Sequence, residues 1–582
     1  MIFKEEIAGF IAEATGIELD RIISSIEIPP QREMGDFAFP CFKLSKELRK
    51  PSDEIARDIA GVFEKRLQEP EVARYASTCR AMGGYFNIFV NRAEFIERVM
   101  SEVARAGGRY GSSELGAGKK IVIDFSAPNV AKPFHVGHLC STAIGNSIER
   151  IHSYLGYETV SVNHIGDWGT QFGKLICAYR RWGDAEALAK DTMSELLRVY
   201  VQFHKEVKDM PELDDEARHL FLQLEEGEPS VVAQWKEFRD FSILEFEKLY
   251  RRLGVSFDSY NGEGFYIDKM GEIVALLEER GLLVESEGAR VVDLSEFGLL
   301  PCIIIKSDGA TIYATRDLAA ALYRKRTYNF DKNIYVVGSP QMLHFKQIFA
   351  VLGLMGFEWS ADCVHVGFGH IRFPGRKMAT REGEIIELEE LLDESVKRAA
   401  EMIDEERKLD LDDPEKVAEA VGVGAIVYSF LKNGREREMV FKWEEILDID
   451  GDSGPYLQYT CARASSVLRK AGAMPEVADY SHLTESEEFE LVVMLGMFPD
   501  AILDALRKYE PSILARQILG IARAFNKMYN QHKIIDSAPG VREARLHLCG
   551  AARDILRIGL SLLGIEALEQ MCQRGRYDFV SF

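Results

Sequence analysis

No run of residues in this 582-residue chain is apolar for long enough to cross a bilayer, and Met1-Ile-Phe-Lys-Glu-Glu6 lacks the order of a secretory signal. These absences argue against a membrane partner and lead us to expect a cytoplasmic protein. Cysteine pairs are also missing. The nine cysteines, at 41, 79, 140, 177, 302, 363, 461, 549 and 572, form no Cys-x-x-Cys and no spacing that suits zinc, so no metal ligand set is expected and the thiols should be reduced and mostly buried. Positive charge is scarce, with 71 Lys and Arg against 93 Asp and Glu for a net charge of −22. That argues against indiscriminate nucleic-acid binding and against DNA as a partner, because such binding rests on neutralising phosphates. Internal repeats and low-complexity segments are absent as well. What remains, 47% hydrophobic and 28% charged, is the composition of a globular protein, in a chain long enough for about three or four domains.

The most informative stretch is Asp124-Phe-Ser-Ala-Pro-Asn-Val-Ala-Lys-Pro-Phe-His-Val-Gly-His138. Lys119 and Lys120 precede Ile121-Val-Ile123, a β-branched run suited to a buried parallel strand, and Leu139 to Tyr154 reads as a helix with one apolar face. His135 and His138 then sit on the first turn, where unpaired N–H groups and the helix dipole attract anions, and their imidazoles add donors on one side. Gly137 has no β-carbon and lets a nucleotide approach the backbone closely. The alternative is that these are ordinary polar helix-start residues. A second buried strand, Asn333-Ile-Tyr-Val-Val337, implies a doubly wound parallel sheet, whose ligands bind at the carboxyl ends of the strands.

His-Val-Gly-His resembles the HIGH motif of class I aminoacyl-tRNA synthetases, and the surrounding residues narrow the match to arginyl-tRNA synthetases. Ser126-Ala-Pro-Asn129, Lys132-Pro-Phe134, His164-Ile-Gly-Asp-Trp-Gly-Thr-Gln-Phe-Gly173, Asp308-Gly-Ala-Thr-Ile-Tyr-Ala-Thr-Arg-Asp317, Tyr335 to Phe345 and Gly454 to Arg463 are all similar to that family. The resemblance runs from about residue 30 to the C-terminus. It implies a Rossmann-type α/β catalytic domain with an N-terminal α+β domain and a C-terminal all-α bundle. The corresponding divisions are an N-terminal tRNA-contacting domain over 1–112 and a catalytic domain over 113–386 with a charged helical insertion at about 183–252. A connecting helical region over 387–452 and an anticodon-binding domain over 453–582 follow. Amphipathic helices are read at Leu457–Leu468, Phe489–Leu506, Ile513–Tyr529 and Val541–Leu563, and Gly107 to Ser113 as a linker.

The activity so implied is ATP-dependent activation of L-arginine and transfer to the terminal adenosine of tRNA(Arg), with ATP and Mg²⁺ as consumables and a monomeric enzyme expected. His135, His138 and Lys132 are the candidates for phosphate contact, joined by Gly375-Arg-Lys-Met-Ala-Thr-Arg-Glu-Gly383, which resembles a degenerate KMSKS loop. In that loop Lys377 and Met378 keep the pattern, Thr380 replaces the second lysine and Arg381 supplies a different cation. A guanidinium substrate needs a facing carboxylate. By resemblance Tyr313 and Asp317 meet the arginine side chain, Asp124, Asn129 and Gln341 complete the contacts, and His164 lies near the adenylate. Local alternatives stay open: Asp317 as a helix cap, Asp124 as a strand end, Lys132 and Gln341 as plain loop residues.

For RNA, residues 501–582 carry 12 Lys and Arg against 8 Asp and Glu. Tyr456, Gln458, Tyr459 and Arg463, together with Arg516, Arg523, Asn526, Lys527 and Tyr529, interleave basic and stacking side chains at helical spacing. Packing is the competing reading for Tyr456 and Tyr459. Two rivals remain: a class I synthetase of another specificity, and a non-catalytic tRNA-binding paralogue, suggested by the altered loop and by Cys140, where the family commonly has arginine.

Overall fold

The computed structural model describes residues 3–29, 31–307, 312–369, 371–372, 386–405 and 413–571. They divide into two compact units that interleave along the chain.

The first unit comprises residues 1–111, 460–503 and 516–558. Three antiparallel strands, β1 (Phe37–Pro40), β2 (Ala76–Met82) and β3 (Tyr85–Val90), lie in the order β1-β3-β2. Gly83 and Gly84 join β2 to β3 with φ of 55° and 78°, the pair of left-handed residues that a two-residue hairpin matching strand twist requires. Helix Ser52–Arg66 buries Ile55, Ile59 and Phe63, and Phe63 meets Phe10 and Phe86 edge-on. The helix Arg92–Ala106 sets Phe95 against Phe489. The segment read as one helix over Phe489–Leu506 is two, Ser486–Gly496 and Phe498–Lys508. Pro499 explains the break: it has no N–H to continue a helix but suits the first turn of a new one. Within the segment read as a linker, Gly107–Arg109 forms a 3₁₀ turn and the buried Tyr110 ring stacks on Phe498.

The second unit comprises residues 112–459, 504–515 and 559–582. Strands β4 (Lys120–Asp124) and β5 (Glu158–Val162) pair in parallel. A small antiparallel sheet follows, of β6 (Leu283–Ser286), β7 (Ala289–Val292) and β8 (Cys302–Ile305). Then β9 (Lys332–Val336) and β10 (Cys363–Val366) complete a parallel sheet in the order β10-β9-β4-β5. The buried Ile121-Val-Ile123 run makes β4 a central strand, covered on its faces by helices such as Val136–Tyr154. From β4 the chain goes first to β5 on one side and later to β9 on the other, so the order reverses at β4. The crevice at the carboxyl ends of β4 and β9 is where such sheets take ligands. The charged insertion is helical, with Ala185–Lys190, Thr192–Glu206, Glu212–Glu225 and Pro229–Leu253 packing around Phe172, Leu196, Phe203 and Phe238. The eight described cysteines are all buried and form no disulfide with one another.

Candidate active site

The loop leaving β4 is strained. Ser126 and Ala127 have φ of 74° and 50°, and Ala131 has 58°, a region that costs a non-glycine residue roughly 1–3 kcal/mol. A closed set of buried hydrogen bonds holds it there. The Tyr250 hydroxyl lies 2.7 Å from Ser126 Oγ and accepts from Asn163 Nδ2 at 2.9 Å, while Asn163 Oδ1 accepts from Ala127 N at 3.1 Å. Ser141 Oγ accepts from Ser126 N and donates to the Val336 carbonyl, tying the loop to β9. The Thr142 hydroxyl contacts Ser126 Oγ and the His138 carbonyl. Asn129 follows, half-buried, and Gly166 packs so close to it that a β-carbon there would fall 2.3 Å from Asn129 Oδ1. The two residues bridge as short parallel backbone.

His135 is the N-cap of Val136–Tyr154, and His138 is its third residue. Gly137 N donates to His135 Nδ1 at 3.1 Å, His135 N donates to His138 Nδ1 at 3.3 Å, and the rings stack at 3.7 Å. This corrects the expectation of unpaired N–H groups at the helix start, since the histidine rings themselves take up the amides of His135 and Gly137. A β-carbon at Gly137 would meet the His135 ring at 2.9 Å, so the glycine also makes room for that histidine. With Nδ1 accepting, each ring carries its proton on Nε2, directed away from the cap. Burial lowers the His135 pKa, helped by Lys132, and holds His138 well below the ordinary histidine value, helped by His135 and Lys132. The pair is therefore neutral at pH 7 and acts as two hydrogen-bond donors, with Lys132 the nearby positive charge.

Beyond the carboxyl ends of β4 and β5 lies an acidic cluster. Asp124 is buried and pairs with Arg324 Nη2 at 2.8 Å, and the same nitrogen lies 3.2 Å from His164 Nδ1. The half-buried His164 ring stacks on Tyr266 at 5.4 Å. Asp317 is inside the helix Tyr313–Tyr328, not at its cap, and its Oδ2 meets Nε2 of the buried His344 at 2.6 Å. Burial pushes the Asp317 carboxyl up, but the hydrogen bond from His344 and the nearby Arg324 guanidinium more than offset it, leaving the pKa below the ordinary value. Glu263 pairs with Arg316 at 3.0 Å, and burial raises its pKa. Asp167, also raised by burial, accepts from Gly264 N and pairs with Arg239 at 3.1 Å. Tyr313 is exposed, with its ring 4.8 Å from His344, and Gln341 is exposed at the end of a 3₁₀ turn after β9.

Lys377, Met378, Thr380 and Arg381 lie outside the described residues. Sequence reasoning missed Arg324, Glu263 and His344. Arg324 had one signal: it follows Asp317 by two helical turns, a cation on an otherwise apolar face.

The RNA candidates divide by burial. Gln458 is wholly buried and donates to the Ala420 and Glu566 carbonyls, and Tyr459 is buried too. Asn526 is buried, donates to Thr460 Oγ1 and accepts from Arg463. The expectation of RNA contact is corrected for these three, whose polar atoms or rings are spent on packing helices together. Tyr456 and Arg463 are half-buried, and the Arg463 guanidinium lies 5.2 Å from the Tyr529 ring. Arg516, Arg523, Lys527 and Tyr529 are exposed on the helix Pro511–Gln531, with Lys527 paired to Glu490. Among the described residues Glu485, Glu487 and His532 could together hold a metal ion, but Glu487 already pairs with His532 and Lys527.

A parallel sheet with a neutral histidine pair capping the helix after its central strand, and an acidic cluster beyond the strand ends, is the arrangement of a class I aminoacyl-tRNA synthetase catalytic unit. Three family models match: "tRNA synthetases class I (R), catalytic domain" over residues 100–443, "DALR anticodon binding domain" over 457–571 and "Arginyl tRNA synthetase N terminal domain" over 1–90. The arginine–tRNA ligase of Clostridium botulinum (strain 657 / Type Ba4) is 50% identical over 98% of this chain and 100% of its own length. Arginyl-tRNA synthetase of Thermus thermophilus has a similar structure, with a TM-score of 0.82 and 25% identity over 98% of this chain and all of that one. That of Plasmodium falciparum shares the fold, with a TM-score of 0.80 and 24% identity over 98% of this chain and 99% of that one. The chain belongs to the arginyl-tRNA synthetase family.

Proposed function

We infer that this chain is an arginine–tRNA ligase that uses ATP to activate L-arginine and transfers it to the 3′-terminal adenosine of tRNA(Arg). The observation that carries the reading is the acidic cluster beyond the strand ends, on the same sheet edge as the histidine pair. Asp317 is the carboxylate of that cluster whose partner in the chain is a histidine and not an arginine, so it has charge to offer a guanidinium. In the first step the arginine carboxylate oxygen bonds to the α-phosphorus of ATP, the bond from that phosphorus to the β-phosphate oxygen breaks, and pyrophosphate leaves. His135 and His138, neutral, donate from Nε2 to phosphate oxygens. Lys132 supplies positive charge, shared with Lys377 of the degenerate loop, whose Met378, Thr380 and Arg381 border the nucleotide. Tyr313 and Asp317 hold the arginine side chain, Asp124, Asn129 and Gln341 make the remaining guanidinium and amino-group contacts, and His164 lies at the adenylate side. Mg²⁺ enters with ATP and neutralises part of its charge. In the second step the oxygen of the terminal 2′-hydroxyl of tRNA bonds to the arginyl carbonyl carbon, the bond from that carbon to the phosphate oxygen breaks, AMP leaves with the bonding pair, and the hydroxyl proton passes to solvent.

The residue ranges 1–112, 113–386, 387–452 and 453–582 serve as tRNA-contacting, catalytic, connecting and anticodon-binding parts, in a cytoplasmic monomer. Arg523 and Tyr529, exposed on one helix, are the side chains best placed to meet RNA. Charging of total tRNA with each labelled amino acid in turn tests the reading. Arginine alone should be esterified, and charging with another amino acid, or with none, overturns it.

A further inference from the structure

Arg324 is, with Asp167, the most deeply buried charged side chain of the acidic cluster, each with 1% of its surface exposed. It reaches the site from the second turn beyond Asp317 on the helix Tyr313–Tyr328. Strand register prepares its seat. Tyr335 of β9 stands directly beside Asp124 of β4, and the Arg324 guanidinium lies 5.4 Å from the centre of the Tyr335 ring. From there Nη2 serves two acceptors, Asp124 Oδ2 at 2.8 Å and His164 Nδ1 at 3.2 Å, and the guanidinium also acts on the Tyr266 hydroxyl, while among the described residues Nε and Nη1 are buried without an acceptor in full hydrogen-bond geometry. Two donors so placed in a buried guanidinium are costly, and a side chain seated only for stability would be expected to satisfy them. What the arrangement secures is orientation. Donation to Nδ1 fixes the His164 proton on Nε2, and the stack on Tyr266 fixes the ring plane.

The charge balance points the same way. Among the described residues the cluster holds four carboxylates, Asp124, Asp167, Glu263 and Asp317. Three of them already face an arginine of the chain, Arg324, Arg239 and Arg316 respectively. One negative charge is left over, on Asp317, and a substrate with one guanidinium balances it. Without Arg324 a second carboxylate would compete for that guanidinium from the wrong side of the pocket.

We propose that Arg324 is a positioning residue for the amino-acid pocket, holding Asp124 and His164 in a single arrangement and leaving Asp317 as the carboxylate that takes the substrate's guanidinium. The proposal rests on the reading that this pocket takes arginine. Its test is ATP–pyrophosphate exchange in the presence of tRNA, with the KM for arginine and for ATP measured separately on the wild type, Arg324→Met, Arg324→Lys and the double variant Arg324→Met with Asp124→Asn. Melting temperature is followed alongside. The expected result is a rise of about tenfold or more in the KM for arginine in all three variants, the scale of losing an aligned charge-assisted contact, with the KM for ATP changed less than about twofold. Arg324→Lys should recover most of the melting temperature, because its ammonium still balances Asp124, yet not the KM, because a point charge on a different stem does not hold both acceptors. The double variant removes the uncompensated carboxylate and keeps the test available should Arg324→Met alone fail to fold. Recovery of the arginine KM by Arg324→Lys, or an unchanged KM in variants that merely melt earlier, overturns the proposal. A wild type without arginine-dependent exchange overturns the functional reading instead.

Discussion

Removing one buried hydroxyl should cost this protein both stability and activity. In Tyr250→Phe the ring stays and the oxygen goes. Tyr250 is 1% exposed and its hydroxyl bridges Ser126 Oγ at 2.7 Å and Asn163 Nδ2 at 2.9 Å. Ser126 Oγ keeps the Thr142 hydroxyl, so its loss is partial. Asn163 is fully buried, and its Nδ2 would be left without that acceptor, which costs about 1–3 kcal/mol. The strain that the network opposes, left-handed φ at the adjacent residues Ser126 and Ala127, is of the same order, about 1–3 kcal/mol per residue. With the two so nearly matched, the loop should relax toward ordinary backbone and carry Asn129, Lys132 and His135 with it. We predict a fall of about 2 kcal/mol in unfolding free energy and, because a small misplacement of positioning groups is expensive, a loss of roughly tenfold or more in kcat/KM for ATP–pyrophosphate exchange. Denaturant unfolding and steady-state exchange on the same preparation measure both. A variant that loses the stability but exchanges at the wild-type rate would refute the link between the network and the site.

Replacing His138 by alanine removes a neutral donor and the acceptor for the His135 amide, so kcat for exchange should fall roughly a hundredfold, and a fall of only a few-fold would mean the phosphates bind elsewhere. Asp317→Asn removes the charge that faces the guanidinium, so the KM for arginine should rise by about tenfold or more with little change for ATP, and equal effects on both substrates would argue against the assignment. His152 is buried, stacks on Tyr509 and has its pKa lowered from 6.5 to about 4 by burial and the Lys332 charge, against a hydrogen bond to the Ile148 carbonyl. Its stabilising contribution is complete above the unfolded-state value and is lost as pH falls, because the unfolded chain takes up a proton that the folded chain refuses. Unfolding free energy should drop by about 2 kcal/mol between pH 7 and pH 5 from this group, and the drop should be smaller by about that amount in His152→Gln, so equal pH dependence in the two proteins would refute the assignment.

What was legible in the sequence was local. A β-branched run followed by a proline-bearing loop and His-Val-Gly-His places β4, the loop and the capped helix within a few residues of their true bounds, and the parallel sheet follows from a second such run at β9. What was not legible depends on partners brought from far along the chain. Asp124 reads as a free carboxylate until Arg324, 200 residues later, is seen to occupy it. Tyr250 reads as one more apolar residue of the insertion, although it locks a loop 124 residues earlier. Gln458 and Tyr459 sit at helical spacing beside basic residues, and spacing alone does not say which face of a helix its neighbours cover. The histidines were read as adding to free backbone donors, whereas their own rings pair with the amides, a capping geometry that needs coordinates.

The most direct test of the account is ATP–pyrophosphate exchange with each amino acid in turn, with and without total tRNA. Exchange is expected with arginine and no other amino acid, and only when tRNA is present, because the resemblance to arginyl-tRNA synthetases, which generally need bound tRNA before they activate arginine, leads us to expect a site completed by the RNA. Full-rate exchange with arginine in the absence of tRNA would contradict the tRNA-completed site, and exchange with another amino acid, or with none, would contradict the assignment of the acidic pocket to arginine.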